Sequence, residues 1–203
     1  MIEVFADVIC PFAHVSLRRL ATRRDTVGRG DIRIVVRSWP LVIVNGEPFD
    51  PDKIAEEIEI LRGSVAPDLF THFDPAAYPS SSVPAMSLTA AGYRVAPEVG
   101  ERIALELRSL LFEEGTDVAD PGVLARVADR HGVDRAAIED RTSVEADLDE
   151  GRRRHVTGSP HYFLDGQDVF CPTLDVSKPE GSLRVRFDPD QFEAFAEAAL
   201  GAD

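Results

Sequence analysis

The chain has 203 residues, 44% of them hydrophobic and 29% charged, enough apolar material for a buried core in one or two domains. Its 22 Lys and Arg against 36 Asp and Glu leave a net charge of −14, which repels phosphate backbones and anionic lipid surfaces and argues against nucleic acid and membrane as partners. No apolar run approaches the roughly 18 residues that span a bilayer, the first residues read as strand and not as a signal peptide, and two cysteines make no disulfide scaffold, so the expected compartment is the cytoplasm.

Ile2, Val4 and Ala6 alternate with Glu3, Phe5 and Asp7, the period of a strand, and Val8-Ile9-Cys10 then meets Pro11, a residue favoured at the first position of a helix. Ala13, Leu17, Leu20 and Ala21 repeat on one helical face, with Arg18, Arg19, Arg23 and Arg24 predicted to face solvent and Gly28 and Gly30 to end the helix. Ile32 to Val36 reads as a second strand, completing a βαβ unit. From Asn45 to about His155 helical signals take over. They comprise Lys53 to Arg62, a Pro-interrupted stretch to Ser82, Pro84 to Val95, a helix carrying Ile103, Leu107, Leu110 and Leu111, and Val123 to Arg130 between the Asp120-Pro121 cap and Gly132.

Val156-Thr157-Gly158-Ser159-Pro160 leads into His161 to Leu164, the turn pair Asp165-Gly166, and Gln167 to Cys171, which reads as a hairpin. Asp188-Pro189 opens a last helix with Phe192, Phe195, Ala196 and Ala199 on one face. The order β-α-β, helical insertion, β-β-α predicts an α/β fold in which residues 1–44 and 156–203 form one domain and 45–155 an inserted helical subdomain.

Three stretches carry a resemblance: Ala6-Asp7-Val8-Ile9-Cys10-Pro11-Phe12; Leu111-Phe112-Glu113-Glu114-Gly115 with Asp120-Pro121-Gly122-Val123-Leu124; and Val156-Thr157-Gly158-Ser159-Pro160. Together they resemble the DsbA-like branch of the thioredoxin superfamily over nearly the whole chain, most of all its FrnE-type cytoplasmic members, cousins of the kappa glutathione transferases and 2-hydroxychromene-2-carboxylate isomerases. The resemblance implies a thioredoxin fold with a helical insertion and a cis proline, here Pro160, facing the active-site sulfur. It also implies that the backbone of Ser159 receives an extended peptide or a glutathione-like thiol. One departure matters: the sequence reads Cys10-Pro11-Phe12-Ala13, so the second thiol of the family's C-x-x-C is absent. In the isomerase and kappa cousins a serine stands at the leading position, where this chain keeps Cys10.

The residues themselves give Cys10 a chemistry. A sulfur at a helix N-terminus faces unpaired N–H groups and the positive end of the dipole, which lower a thiol's pKa and make it nucleophilic. His14, one turn on, would favour the thiolate or move its proton; the alternatives are a packed Cys10 and a surface His14. In a two-residue hairpin turning at Asp165-Gly166, Leu164 pairs with Gln167 and the count runs on to Pro160 opposite Cys171. Cys171 is therefore either a displaced resolving thiol or a packed residue at the strand end before Pro172. Phe12 and Trp39, with Met86, are candidates to wall an apolar pocket. Cys10, His14, His161 and Cys171 are the residue types of a zinc site, but no ligand spacing supports one, and no metal is expected.

The leading function is a thiol-disulfide oxidoreductase in which Cys10 attacks and either Cys171 or a low-molecular-weight thiol, glutathione or another, resolves. Catalytic roles fall to Cys10, Cys171 and His14, and substrate contacts to Pro11, Phe12, Ser159, Pro160 and Trp39. Partners are thiol or disulfide substrates, protein or small molecule; no cofactor is expected to bind tightly, and a homodimer is an open option. The second reading is a glutathione-type isomerase or transferase acting on a small electrophile, and the third a redox-inactive binding protein on the same fold.

Overall fold

The computed structural model describes residues 1–164, 166–177 and 184–201. Strand β1 (Ile2–Ala6) is apolar on both sides and lies inside a sheet of order β2-β1-β3-β4. Strand β2 (Ile34–Ser38) runs parallel to β1, while β3 (His161–Leu164) is antiparallel to both β1 and β4 (Gln167–Phe170). Ile2, Val4 and Ala6 pack with Leu17 and Leu20 of helix α1 (Pro11–Thr26) and with Phe192, Phe195 and Leu200 of α8 (Pro189–Leu200). Phe5 points the other way, edge-on to Trp39, in a cluster with Leu148 of α7 (Thr142–Arg153). The outer edge of β2 is closed by side chains: Ile34, Val36 and Ser38 donate their N–H groups to Glu101, Tyr93 and Asp147, which leaves no donor row for another chain to pair with there.

Between β2 and β3 the chain forms α2 (Leu41–Asn45), α3 (Pro51–Ser64), α4 (Val83–Val95), α5 (Pro97–Phe112), α6 (Pro121–His131) and α7, with short 3₁₀ turns at Pro75–Ala77 and Arg135–Glu139. Proline at the first or second position and an aspartate cap begin α3, α6 and α8, where Asp50, Asp120 and Asp188 accept backbone N–H groups. The helical core around Ile54, Leu61, Leu88, Leu107 and Leu124 also takes in Val8, Ile9 and Val15. The start of α1 thus sits at the junction of both apolar layers.

The fold is the α/β arrangement with a helical insertion that the pattern predicts, with local corrections. The second strand begins at Ile34 and not at Ile32. Arg24 is buried, not solvent-facing, because Glu101 of α5 reaches it as a counter-ion. The short α2 and the ribbon of β5 (Asp175–Ser177) with β6 (Arg184–Arg186) were not legible as elements. The predicted register Leu164↔Gln167 through His161↔Phe170 is the observed one; Asp165 of the predicted turn lies outside the described residues, while Gly166 takes the left-handed conformation (φ 86°). No described helix is long and apolar enough to cross a membrane.

Candidate active site

Cys10 caps α1. Pro11, buried at the first helical position, fixes the turn, and the Cys10 sulfur accepts the N–H of Ala13 at 3.5 Å. From across the site the loop before β3 meets it: the Cys10 thiol donates to the carbonyl of Ser159 at 3.2 Å, and the Ser159–Pro160 peptide bond is cis. Phe12 is partly buried between the two core layers. Cys171 follows β4 with its N–H on the carbonyl of Pro160 at 2.9 Å, so the predicted opposition of the two positions is present. Its φ of 46° takes it out of the strand conformation, so the alternation of the strand no longer dictates where its side chain points. Both cysteines are free, buried thiols, and each lies within electrostatic reach of the other.

Asp7 organises this junction. It is fully buried at the end of β1; its N–H donates to the Ser159 hydroxyl at 2.9 Å, Oδ1 accepts from Ile9 N–H at 3.1 Å, and Oδ2 accepts from Leu41 N–H at 2.6 Å. Leu41 opens α2, whose preceding Pro40 supplies no side-chain cap, so Asp7 caps that helix from a distance in sequence. The Ser159 hydroxyl accepts from Asp7 and its side chain also hydrogen-bonds toward the Cys10 sulfur, its carbonyl receives the Cys10 thiol, and its N–H pairs with no group among the described residues. Tyr78 closes the floor with its hydroxyl donating to Ile9 O at 2.8 Å.

Burial dominates the electrostatics. It pushes the Cys10 thiol up to about 11, against the hydrogen bonds from the Ser159 and Ala13 side, and the nearby Asp7 charge pushes the same way. The sequence-based expectation of a lowered thiol pKa is therefore corrected: the helix N-terminus is in place, but desolvation at 4% exposure outweighs it. Cys171 is raised by burial to about 12, and Asp7 to about 6, the latter despite the N–H groups of Leu41 and Ile9, the Ser82 side chain and the Arg108 charge, which all favour its ionised form.

His14 does not serve Cys10. Its fully buried ring lies between Phe70 and Phe112, and Nε2 donates to Glu113 at 2.6 Å. Burial lowers its pKa against the opposing pull of Glu113, and Nδ1 has no partner among the described residues. Burial alone would raise Glu113, but donation from His14, Phe70 N–H and Thr71 N–H holds it at about 2; the pair ties α1 to the end of α5 and to the 70–71 loop. Trp39 is likewise placed elsewhere, against Phe5 and Val156 under α7, and Met86 packs with Val83 and Val144. His161 accepts Thr157 N–H at Nδ1 and donates through Nε2 to Asp168 at 2.9 Å. No cluster of metal-ligating side chains occurs among the described residues. The sequence reading did not single out Asp7 or Tyr78, which the structure places beside Cys10; an Asp three residues before a helix-opening Cys-Pro was the one available signal.

A four-stranded mixed sheet with a cysteine at the N-terminus of its first helix, a cis proline facing that sulfur and a helical insertion defines a thioredoxin-fold protein. The chain belongs to the DSBA-like thioredoxin domain family, whose pattern it matches over residues 1–179. Among solved structures it is similar to 2-hydroxychromene-2-carboxylate isomerase (TM-score 0.57, 15% identity, covering 83% of this chain and 87% of that one). It is also similar to the cytosolic disulfide reductase DsbM from Pseudomonas aeruginosa with GSH (0.59, 16%, 97% and 96%). A third likeness is to a putative protein disulfide isomerase from Nitrosomonas europaea (0.61, 13%, 97% and 95%). At these identities the likeness shows the fold. No curated protein matches the chain.

Proposed function

We propose that this protein is a cytoplasmic thiol-disulfide oxidoreductase with Cys10 as its nucleophile. The observation that supports it most is the Cys10 sulfur at the head of α1, 3.2 Å from the carbonyl of Ser159 beside the cis bond to Pro160. In this reading an extended thiol or disulfide substrate pairs with the spare N–H of Ser159, with Pro11, Phe12 and Pro160 around the reacting sulfur. The Cys10 thiolate attacks one substrate sulfur, the S–S bond breaks, and the other sulfur leaves as a thiolate. An external thiol that attacks the substrate sulfur of the mixed disulfide releases Cys10 as a thiolate and leaves with that sulfur as a new disulfide; attack by Cys171 on the Cys10 sulfur instead expels the substrate thiolate and leaves an internal Cys10–Cys171 disulfide, which external thiols then reduce while being oxidised themselves.

Ala13 stands where a resolving thiol would be, so that second thiol is either Cys171 or a low-molecular-weight thiol of the glutathione kind. The DsbM neighbour described with GSH makes glutathione the first to try. Two grooves among the described residues, of about 410 and 430 Å³, are lined by the outer face of α1 with Phe187, and by residues around Arg154 and Phe163.

Incubation with oxidised glutathione followed by intact-mass measurement tests the proposal. The expected result is one adduct per chain, or an internal bond between the two cysteines, lost in Cys10→Ser. A Cys171→Ser protein that accumulates the adduct identifies Cys171 as the resolving thiol, while turnover unchanged in that variant assigns the step to the external thiol. Neither adduct nor internal bond in the wild-type chain under any redox condition would overturn the assignment.

A further inference from the structure

Arg24 and Arg108 are the buried arginines among the described residues, and their surroundings differ. Arg24 meets the carboxylates of Glu101 and Asp25. Arg108, 2% exposed on α5, touches no carboxylate there: Nη1 donates to Ala104 O at 2.8 Å, Nη2 donates to Asp7 O at 3.1 Å, and Nε is buried without a partner. A buried cation lacking a contacting anion is among the least favourable groups a fold can hold, and such groups cluster where charge develops during a reaction.

The neighbourhood says which charge. The Asp7 carbonyl that receives Arg108 Nη2 also accepts the N–H of Cys10 at 3.4 Å, so the guanidinium and the head of α1 converge on a single oxygen. Asp7 is joined in turn to Ser159, whose carbonyl holds the Cys10 thiol. The titratable groups around the sulfur are Asp7 at the end of β1, Tyr78 after the 3₁₀ turn and Cys171 after β4; Arg108 acts first on the Asp7 carboxyl, which it does not contact, then on Tyr93 of α4, Cys10 and Tyr162 of β3, and His14 farther along α1 is turned to Glu113. Arg108 is the cation of this set.

We infer that Arg108 is the fixed counter-charge of the Cys10 site, a positioning residue that braces the Asp7–Cys10 turn from behind and stabilises the sulfur anion as it forms. The inference rests on reading Cys10 as the nucleophile. Its test does not, because an alkylating reagent reports sulfur ionisation whether or not the protein turns over a disulfide.

The experiment uses the full chain carrying Cys171→Ser, so that Cys10 alone reacts, and follows iodoacetamide labelling by mass from pH 7 to 9.5. Below the thiol's pKa the rate tracks the thiolate fraction, so Arg108→Gln is expected to slow labelling by about tenfold or more at every pH, giving parallel log-rate lines. Loss of a merely structural brace would loosen the site and speed labelling, so an unchanged or faster rate overturns the inference. Arg108→Lys keeps a cation and stands in should the neutral variant fail to fold: a rate within about threefold of the parent supports the role, and a tenfold fall refutes it.

Discussion

Replacing Asp7 by Asn should remove a specific pH dependence of stability. Asp7 is fully buried, and its pKa stands at about 6 in the fold against an ordinary 3.8. Because the folded value lies above the unfolded one, the contribution to stability is fully present below pH 3.8 and is lost as pH rises through 6, where the fold must hold an ionised carboxylate in a dry site. The difference between 3.8 and about 6, at 1.36 kcal/mol per pH unit, amounts to about 3 kcal/mol. Urea unfolding of both proteins from pH 8 to pH 4 gives the test. Wild type should gain about 2.5 kcal/mol on Asp7→Asn across that interval, most of it between pH 6.5 and 4, with the remainder of the difference falling below pH 4. His14, Glu113 and the other carboxylates titrate in both proteins and cancel in the difference. Loss of the acceptor for Leu41 N–H adds a pH-independent offset of about 1 kcal/mol. Two stability curves that stay parallel over the interval would refute the reasoning, because they would mean that the carboxyl is solvated.

Three further outcomes follow from particular contacts. Glu113 is held at about 2 by its three hydrogen-bonding partners, so its contribution is present above pH 4.5 and lost as pH falls toward 2. Glu113→Gln should cost about 1–2 kcal/mol at pH 7, after discounting for solvent screening, and should flatten the acid limb of an unfolding titration. A Cβ on Gly151 would sit 2.5 Å from the Trp39 ring and 3.2 Å from Phe5, so Gly151→Ala should destabilise by about 1–3 kcal/mol, read as a lower urea midpoint with an unchanged slope. Trp39 is the single tryptophan and is 4% exposed; its emission should be blue-shifted in the fold and move to the red in the same transition that circular dichroism reports.

How much of this was legible in the sequence depended on whether local pattern or tertiary placement decided the residue. The βαβ start, the caps at Asp120 and Asp188 and the hairpin register were local matters, and the register count from Leu164↔Gln167 carried through to the contact between Pro160 and Cys171. What failed depended on distant partners. Arg24 looked like part of a solvated face because nothing near it in sequence announces Glu101. His14 sits one turn from Cys10 along α1, but its ring follows Glu113, 99 positions away. Trp39 follows a strand that ends beside the site, yet strand alternation sends its ring to the α7 face with Phe5. Asp7 and Arg108 became visible only when the ends of β1, α2, α5 and the Ser159 loop were brought to one place.

The largest correction, at Cys10, follows from setting two magnitudes against each other. A helix N-terminus stabilises a negative charge by about 0.3–1 kcal/mol in exposed settings and up to about 2 kcal/mol when partly buried. Raising a thiol from 9.0 to about 11 corresponds to almost 3 kcal/mol in the opposite sense, so desolvation wins and the resting sulfur is a thiol. Oxidants and electrophiles react with the thiolate, so burial that favours the thiol works against resting reactivity at Cys10. Under the proposed function, reaction is conditional on a partner that docks at Ser159, and the inferred role of the buried Arg108 cation falls at that moment, when charge appears on sulfur. A site built this way trades resting reactivity for selectivity, and the parallel labelling lines expected of the Arg108 variants are the direct measure of that trade.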